Sequence, residues 1–311
     1  MHDFAFVSDS AFLRASGATG AARRPFAVAG LAWDGATTNR PGARFGPRAI
    51  RQASHMLCDG IHPYFGCSPV AHVVDLGDLL LPNTSLQAMR AALARQLPGL
   101  LASRHMVWLG GDHSVTLPIL RALKVRHGRP LAVLHFDAHC DTWSDHFGEP
   151  SGHGTWVYEA MQEGLVVNAC FTQIGIRSAG DPQARDHVRN QGGLIYTARD
   201  LRGLDNSAEL AVVGAAIRQR LREQGHPPVY LSLDIDCLDP AFAPGTGTPE
   251  PAGLNTGQVM TLLEDLADFD FVGMDCVEVS PPFDHAEITA YAAASFVWTY
   301  LAGRVARLAA A

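Results

Sequence analysis

Three observations predict an α/β fold in which a parallel sheet is covered by helices on both faces. Short apolar runs rich in Val, Ile and Leu alternate with longer segments of helical periodicity. Eight such runs occur, each short enough to be a strand buried on both faces. The stretches that break the alternation are loops at or just after the ends of the runs, where open parallel sheets bind their ligands.

The first strand is expected at 26–32, FAVAGLA, and the second at 72–76, HVVDL. Residues 85–103 carry apolar side chains at helical spacing and read as a helix. A strand at 106–109 and a helix at 115–125 follow, then strands at 131–137, 172–176 and 194–197. The last part of the pattern is a helix at 208–224, a strand at 229–236, a helix at 256–267 capped by Asn255, and a strand at 271–279. Residues 288–303 form a long uncharged stretch with two Thr and a Ser, shorter than the roughly 18 apolar residues of a spanning helix. They read as a buried helix. No linker-like tract and no repeat divides the chain, so residues 1–311 are expected to form a single domain.

Charge and composition exclude several classes of function. A net charge of −7 and a pI near 6.0 leave no basic footprint for nucleic acid and suit a cationic small ligand. Lys124 is the only lysine and sits in a solvated helix-end pattern, which rules out a phosphate-cradling G-x-x-x-x-G-K loop and disfavours a Schiff-base lysine. Six cysteines without C-x-x-C pairing, and an N-terminus with no signal-peptide pattern, lead to the expectation of a reducing, cytoplasmic setting.

The chemistry is concentrated in three loops. In HFDAHCD, residues 135–141, Asp137, His139 and Asp141 recur at every second position. While the chain stays extended, they share one face. Asp234 and Asp236 end the 229–236 run, and His113 follows the Gly110-Gly111-Asp112 turn. A lone histidine after a Gly-Gly turn is ordinarily a hydrogen-bonded loop residue, and an isolated D-x-D is weaker still. Ionised carboxylates at the end of an apolar strand, however, are costly to bury unless paired or metal-bound. The three motifs together point to a metal centre. Four carboxylates and two imidazoles exceed what one ion needs and suggest two bridged ions. Oxygen-rich ligation without cysteine favours Mn²⁺ over Zn²⁺.

These motifs resemble those of the ureohydrolases, the family of arginase, agmatinase, guanidinobutyrase and proclavaminate amidinohydrolase. The resemblance rests on GGDHS at 110–114, DAHCD at 137–141 and SLDIDCLDPAFAPGTGTPEPAGL at 232–254, and extends to RPGARFGPRAIR at 40–51 and GMDCVEVSPPFD at 273–284. It implies a three-layer α/β/α sandwich on an eight-stranded parallel sheet and a homotrimer or homohexamer. It also implies two Mn²⁺ per chain, one held by His113, Asp137, Asp141 and Asp234, the other by His139, Asp137, Asp234 and Asp236. The segment 1–24 is expected near the active-site mouth or at an oligomer interface.

The implied reaction is hydrolysis of a guanidino compound to an amine and urea, by attack of metal-activated water on the guanidinium carbon. Glu278 matches the family's acid that pairs with the guanidinium nitrogens, and His153 in SGHGT matches the histidine that passes a proton to the departing amine. Asp141 shares in proton transfer, and Thr246 in the GTGTP turn holds substrate nitrogen. Where arginases carry an Asn that holds the amino-acid carboxylate, this chain has Trp143. Together with GHGTWVYEAMQEGL, QIGIR and EITAYAAAS, this places the chain nearer bacterial agmatinase, which turns agmatine into putrescine for polyamine biosynthesis. Guanidinobutyrate, the second candidate, would need a cationic or donor-rich distal loop, and the distal end is expected from 143–152. A one-zinc deacetylase of related fold would not need His113, Asp141 and Asp236. A non-enzymatic metal scaffold would survive loss of Asp137.

Overall fold

The structure is a computed structural model that describes residues 11–15 and 24–310. All eight strands lie in one sheet: β1 Phe26–Leu31, β2 Val73–Asp78, β3 His105–Gly110, β4 Leu131–Phe136, β5 Val166–Ile176, β6 Leu194–Thr197, β7 Val229–Asp234 and β8 Phe271–Val277. Their order is β2-β1-β3-β8-β7-β4-β5-β6, and every pair is parallel. The helices are α1 Gly46–Ser54, α2 Leu86–Ser103, α3 Thr116–His127, α4 Trp156–Gln162, α5 Pro182–Arg185, α6 His187–Asn190, α7 Ser207–Glu223, α8 Thr256–Asp265 and α9 Ile288–Ala310. One face of the sheet carries α1, α7, α8 and α9, the other α2, α3 and α4, and each interface is a continuous apolar core. This is the three-layer α/β/α sandwich that the sequence led us to expect.

The adjacent interior strands β4 and β7 are buried along their whole length, as uninterrupted apolar runs between two helical layers must be. Helix starts follow local chemistry. Ser85 caps α2, Asn206 caps α7, and Asn255 caps α8 in a reciprocal arrangement with Gln258. Helix α9 buries Ala293, Phe296, Val297 and Leu301, as its apolar composition demands. No described helix is long and apolar enough to cross a membrane.

Two differences from the sequence reading bear on the site. β4 ends at Phe136 and β7 at Asp234, so Asp137–Asp141 and Asp236 lie beyond the strands rather than in them. Helix α4, which the pattern of apolar runs does not reveal because it is only seven residues long, follows the His153 turn directly. Of the segment 1–24, residues 11–15 lie against α1 and β2, where the Phe12 and Leu13 amides donate to Asp75 (2.6 Å) and Ser54 (2.8 Å). Residues 1–10 and 16–23 lie outside the described residues.

Candidate metal centre

Four adjacent strands, β3, β8, β7 and β4, deliver His113, Glu278, Asp234 with Asp236, and Asp137 to Asp141 to one end of the sheet. The end of β3 passes very close to the segment after β1. A Cβ on Gly111 would stand 1.7 Å from the Trp33 carbonyl oxygen, so only glycine fits. The Gly111 and Asp112 amides donate to Leu31 (2.9 Å) and Trp33 (2.8 Å), and Asp112 accepts from Ala36 (2.8 Å) and Ser114 (3.0 Å), fixing the turn that aims His113. Gly111→Ala is expected to lower unfolding stability by about 2–4 kcal/mol, checked by urea denaturation against wild type.

His113 Nδ1 faces three carboxylate oxygens, Asp234 Oδ2 at 3.1 Å, Asp137 Oδ2 at 3.2 Å and Asp141 Oδ2 at 3.3 Å. His139 Nδ1 faces Asp236 Oδ2 at 3.0 Å and Asp137 Oδ1 at 3.3 Å. Donors bonded at about 2.1 Å to a common octahedral ion, at right angles, lie roughly 3.0 Å apart. Both groups therefore have the spacing of a coordination sphere. Asp137 gives one oxygen to each group, which is the geometry of a bridge.

The alternation that groups Asp137, His139 and Asp141 in the sequence does not hold them together in space. Past Phe136 the chain bends, Asp141 adopts φ +51°, and the Ala138 carbonyl accepts from Arg177 (2.9 Å) and Ser178 (3.0 Å). Convergence comes from this turn. Asp234 Oδ1 accepts the Asp236 amide at 2.8 Å, closing a similar turn after β7.

Electrostatics show what the cluster lacks. Burial, then the charges of Asp236 and Asp137, push Asp234 well above the ordinary carboxylate range, and burial with the Asp137 charge pushes Asp141 up to about 7. Burial would lower His113 and His139, but the surrounding carboxylates outweigh it and raise both well above an ordinary imidazole. Four buried carboxylates this close need compensating positive charge, and divalent cations supply it without geometric strain.

His135, inside the DAHCD-containing motif, was given no role by sequence reasoning. It is buried with Nε2 2.7 Å from Asp137 Oδ2, and its Nδ1 faces the Gln173 side-chain amide at 3.2 Å. Because that amide donates to Nδ1, the proton sits on Nε2, and His135 orients Asp137 instead of competing as a ligand. Its position two residues before Asp137 was the available signal. Ser232, 2.8 Å from His113 Nε2, plays the same part for His113 and in turn donates to Asp275 at 2.7 Å. A serine in a buried strand gives no such signal.

Glu278 is 1% exposed and takes φ +63° directly after β8. Its Oε1 accepts from the His113 amide and from His153 Nδ1, each at 2.9 Å, while Oε2 is buried without a partner among the described residues. His153 Nε2 lies 2.9 Å from Thr38 Oγ1 and 3.2 Å from the Thr38 amide. Burial pulls the His153 pKa down, but the charges of Glu278, Asp112 and Asp141 prevail and raise it to about 9. Thr38 can serve either state, its hydroxyl accepting from the imidazolium and its amide donating to the neutral ring. Thr246 is fully buried, pairs with Val279 next to Glu278, and leaves its hydroxyl without a partner among the described residues. The wall of the cavity over the centre carries Thr248 instead. That cavity, of about 570 Å³, opens past Trp143 and the 143–147 loop.

A three-layer sandwich with a double carboxylate–imidazole centre at the carboxyl edge of its sheet defines a metal-dependent hydrolase. The chain belongs to the arginase family, which its residues 24–303 match. This is a family of binuclear metal enzymes, and the chain is accordingly a hydrolase of guanidino C–N bonds. It is 42% identical over 272 residues to an agmatinase of Chromobacterium violaceum, an alignment covering 86% of this chain and 80% of that one. It is 43% identical over 267 residues to proclavaminate amidinohydrolase of Streptomyces clavuligerus, covering 84% and 82%. The solved structure of a hypothetical agmatinase from Burkholderia thailandensis matches with TM-score 0.85 at 33% identity, over 100% of this chain and 96% of that one.

Proposed function

We propose that this chain hydrolyses agmatine to putrescine and urea. The observation that carries the choice of substrate is the lining of the cavity, which among the described residues contains Asp145 and Asp181 but no lysine or arginine. Burial also holds His146 and His187, which line the same cavity, below the ordinary imidazole range, so neither brings a positive charge. Apart from His153, held beside Glu278, a substrate ending in a carboxylate would meet no cation here. One ending in an ammonium meets two carboxylates. Guanidinobutyrate is thereby disfavoured, and Trp143, packed against Gly154, offers no amide to an amino-acid carboxylate.

In this reading His113, Asp137, Asp141 and Asp234 hold one Mn²⁺ and His139, Asp137, Asp234 and Asp236 the other. The donor set, all oxygen and imidazole, suits that ion. Bound divalent cations supply a water acidic enough to be a nucleophile near neutral pH. Glu278 Oε2, a buried acceptor without a partner, pairs with the guanidinium N–H groups and fixes the plane of the substrate. Thr246, proposed from the sequence to hold substrate nitrogen, is buried behind the cavity wall, and Thr248 is the threonine that lines it. His153, protonated at working pH, gives its proton to the departing amine, and Asp141 shares in proton transfer. The chain would act as a single domain in a cytoplasmic homotrimer or homohexamer.

Urea release by Mn²⁺-loaded protein from agmatine, arginine, guanidinobutyrate, guanidinopropionate and guanidine, beside deacetylation of acetylpolyamines, tests the reading. Agmatine is expected to be turned over preferentially, and preference for a carboxylate-bearing guanidine would reject it. Asp181 caps α5 through Oδ1, a task asparagine performs as well. Asp181→Asn should therefore leave the fold intact and raise KM for agmatine roughly 5- to 10-fold with little change in kcat.

A further inference from the structure

We propose that Trp156 is a positioning residue for the cation site formed around His113, setting two of its ligands from one side chain. The inference rests on the two-cation reading of the centre. Trp156 is fully buried at the first position of α4, and its indole N–H donates to Asp141 Oδ2 at 2.7 Å. That oxygen is the one 3.3 Å from His113 Nδ1, so the hydrogen bond falls on the ligating oxygen itself. The face of the indole lies along the His113 ring, with centroids 4.8 Å apart and planes inclined by 32°. One residue thus aims the carboxylate by a hydrogen bond and the imidazole by stacking.

The backbone of the same helix secures Asp141 from the other side. The Val157 and Tyr158 amides donate to the Asp141 carbonyl at 3.0 and 3.3 Å, and Asp141 holds a left-handed φ that an aspartate adopts only with local support. An indole N–H is a donor that neither titrates nor reverses its role. It occupies one lone pair of Oδ2 and leaves the other for an ion. A search by ligand type passes over tryptophan, because tryptophan does not ligate metals. No hydrogen bond or ring contact among the described residues joins Trp156 to His139 or Asp236, and its edge-on contact with His135 (centroids 4.9 Å apart) reaches Asp137 only through that imidazole, so the larger effect belongs to the His113 site.

Trp156→Phe keeps the ring and removes the donor. Wild-type and variant chains, stripped with a chelator, are titrated with Mn²⁺ in a calorimeter. Wild type is expected to bind two ions, and the variant to bind one of them about 10- to 100-fold more weakly with the other changed less. Unchanged affinity at both sites, or equal weakening at both, would overturn the proposal. Wild type binding fewer than two ions would overturn the two-cation reading with it. Should the variant not fold, [¹⁵N]indole-labelled wild type titrated with diamagnetic Cd²⁺ reads the same contact. A solvent-protected indole N–H is expected to shift as the first ion binds, and no shift in any protected indole would reject the contact.

Discussion

Asp137→Asn is expected to reduce kcat/KM by on the order of 10³-fold or more and to leave the protein unable to retain two cations. Its two oxygens face different groups, Oδ2 toward His113 at 3.2 Å and Oδ1 toward His139 at 3.3 Å. Each oxygen also accepts a fixed hydrogen bond, from the His139 amide at 2.6 Å and from His135 Nε2 at 2.7 Å. An asparagine amide has one donor end, so in either orientation an N–H group is turned against another donor. The substitution therefore removes charge from both groups and misorients at least one. Metal content after gel filtration, measured beside urea release, decides the matter. A variant that keeps two ions and full turnover would show that Asp137 does not bridge, and one that keeps its fold without hydrolysis excludes the scaffold alternative.

Glu278→Gln should lose roughly 10²- to 10³-fold in kcat/KM while still binding two cations, which separates it from the loss of a ligand. The glutamine oxygen can keep the hydrogen bond from the His113 amide, so the turn that aims His113 survives. What changes is the buried Oε2 position, where an amide would present N–H to the N–H groups of a guanidinium. The charge that raises His153 is lost as well. The sign follows: a histidine that must be protonated supports activity below its pKa, so lowering that pKa moves the alkaline fall in rate to lower pH. A pH profile of kcat/KM that keeps its alkaline limb in place would argue against His153 as the proton donor.

Much of the molecule was legible because burial on both faces writes itself into continuous apolar runs. β4 and β7 announce themselves this way, and all eight strands fall where the runs lie. β5 begins at Val166, six residues before the expected start, because its first part is only partly buried and carries Asn168 among its apolar residues. Helices α1, α5 and α6 escaped for the reason α4 did, too few turns to establish a period. At the site, the acidic and imidazole groups were legible from residue type and from their place at strand ends. The residues that aim them were not. Ser232, Trp156 and Thr38 act through contacts between separate segments of the chain, and neither hydrophobic periodicity nor ligand spacing encodes those contacts. Only His135, on the same alternating face as Asp137, left a trace.

The insertion of β8 between β3 and β7 has a consequence for how the centre is assembled. The strand that carries Glu278 is the last to be synthesised, yet it lies in the interior of the sheet and joins the half bearing His113 to the half bearing the aspartates. Until residues 271–277 take their place, β3 and β7 have no common neighbour, and His113 and Asp234, 121 residues apart in the chain, are not brought within reach. Closing so long a loop is slow, because its entropy is lost before the contacts that reward it are made. The His113 group is therefore not assembled until the last strand has entered the sheet. The other group differs, because β4 and β7 pair directly and bring Asp137, His139 and Asp236 together, so a chain without β8 would keep that half of the centre and lose the His113 half.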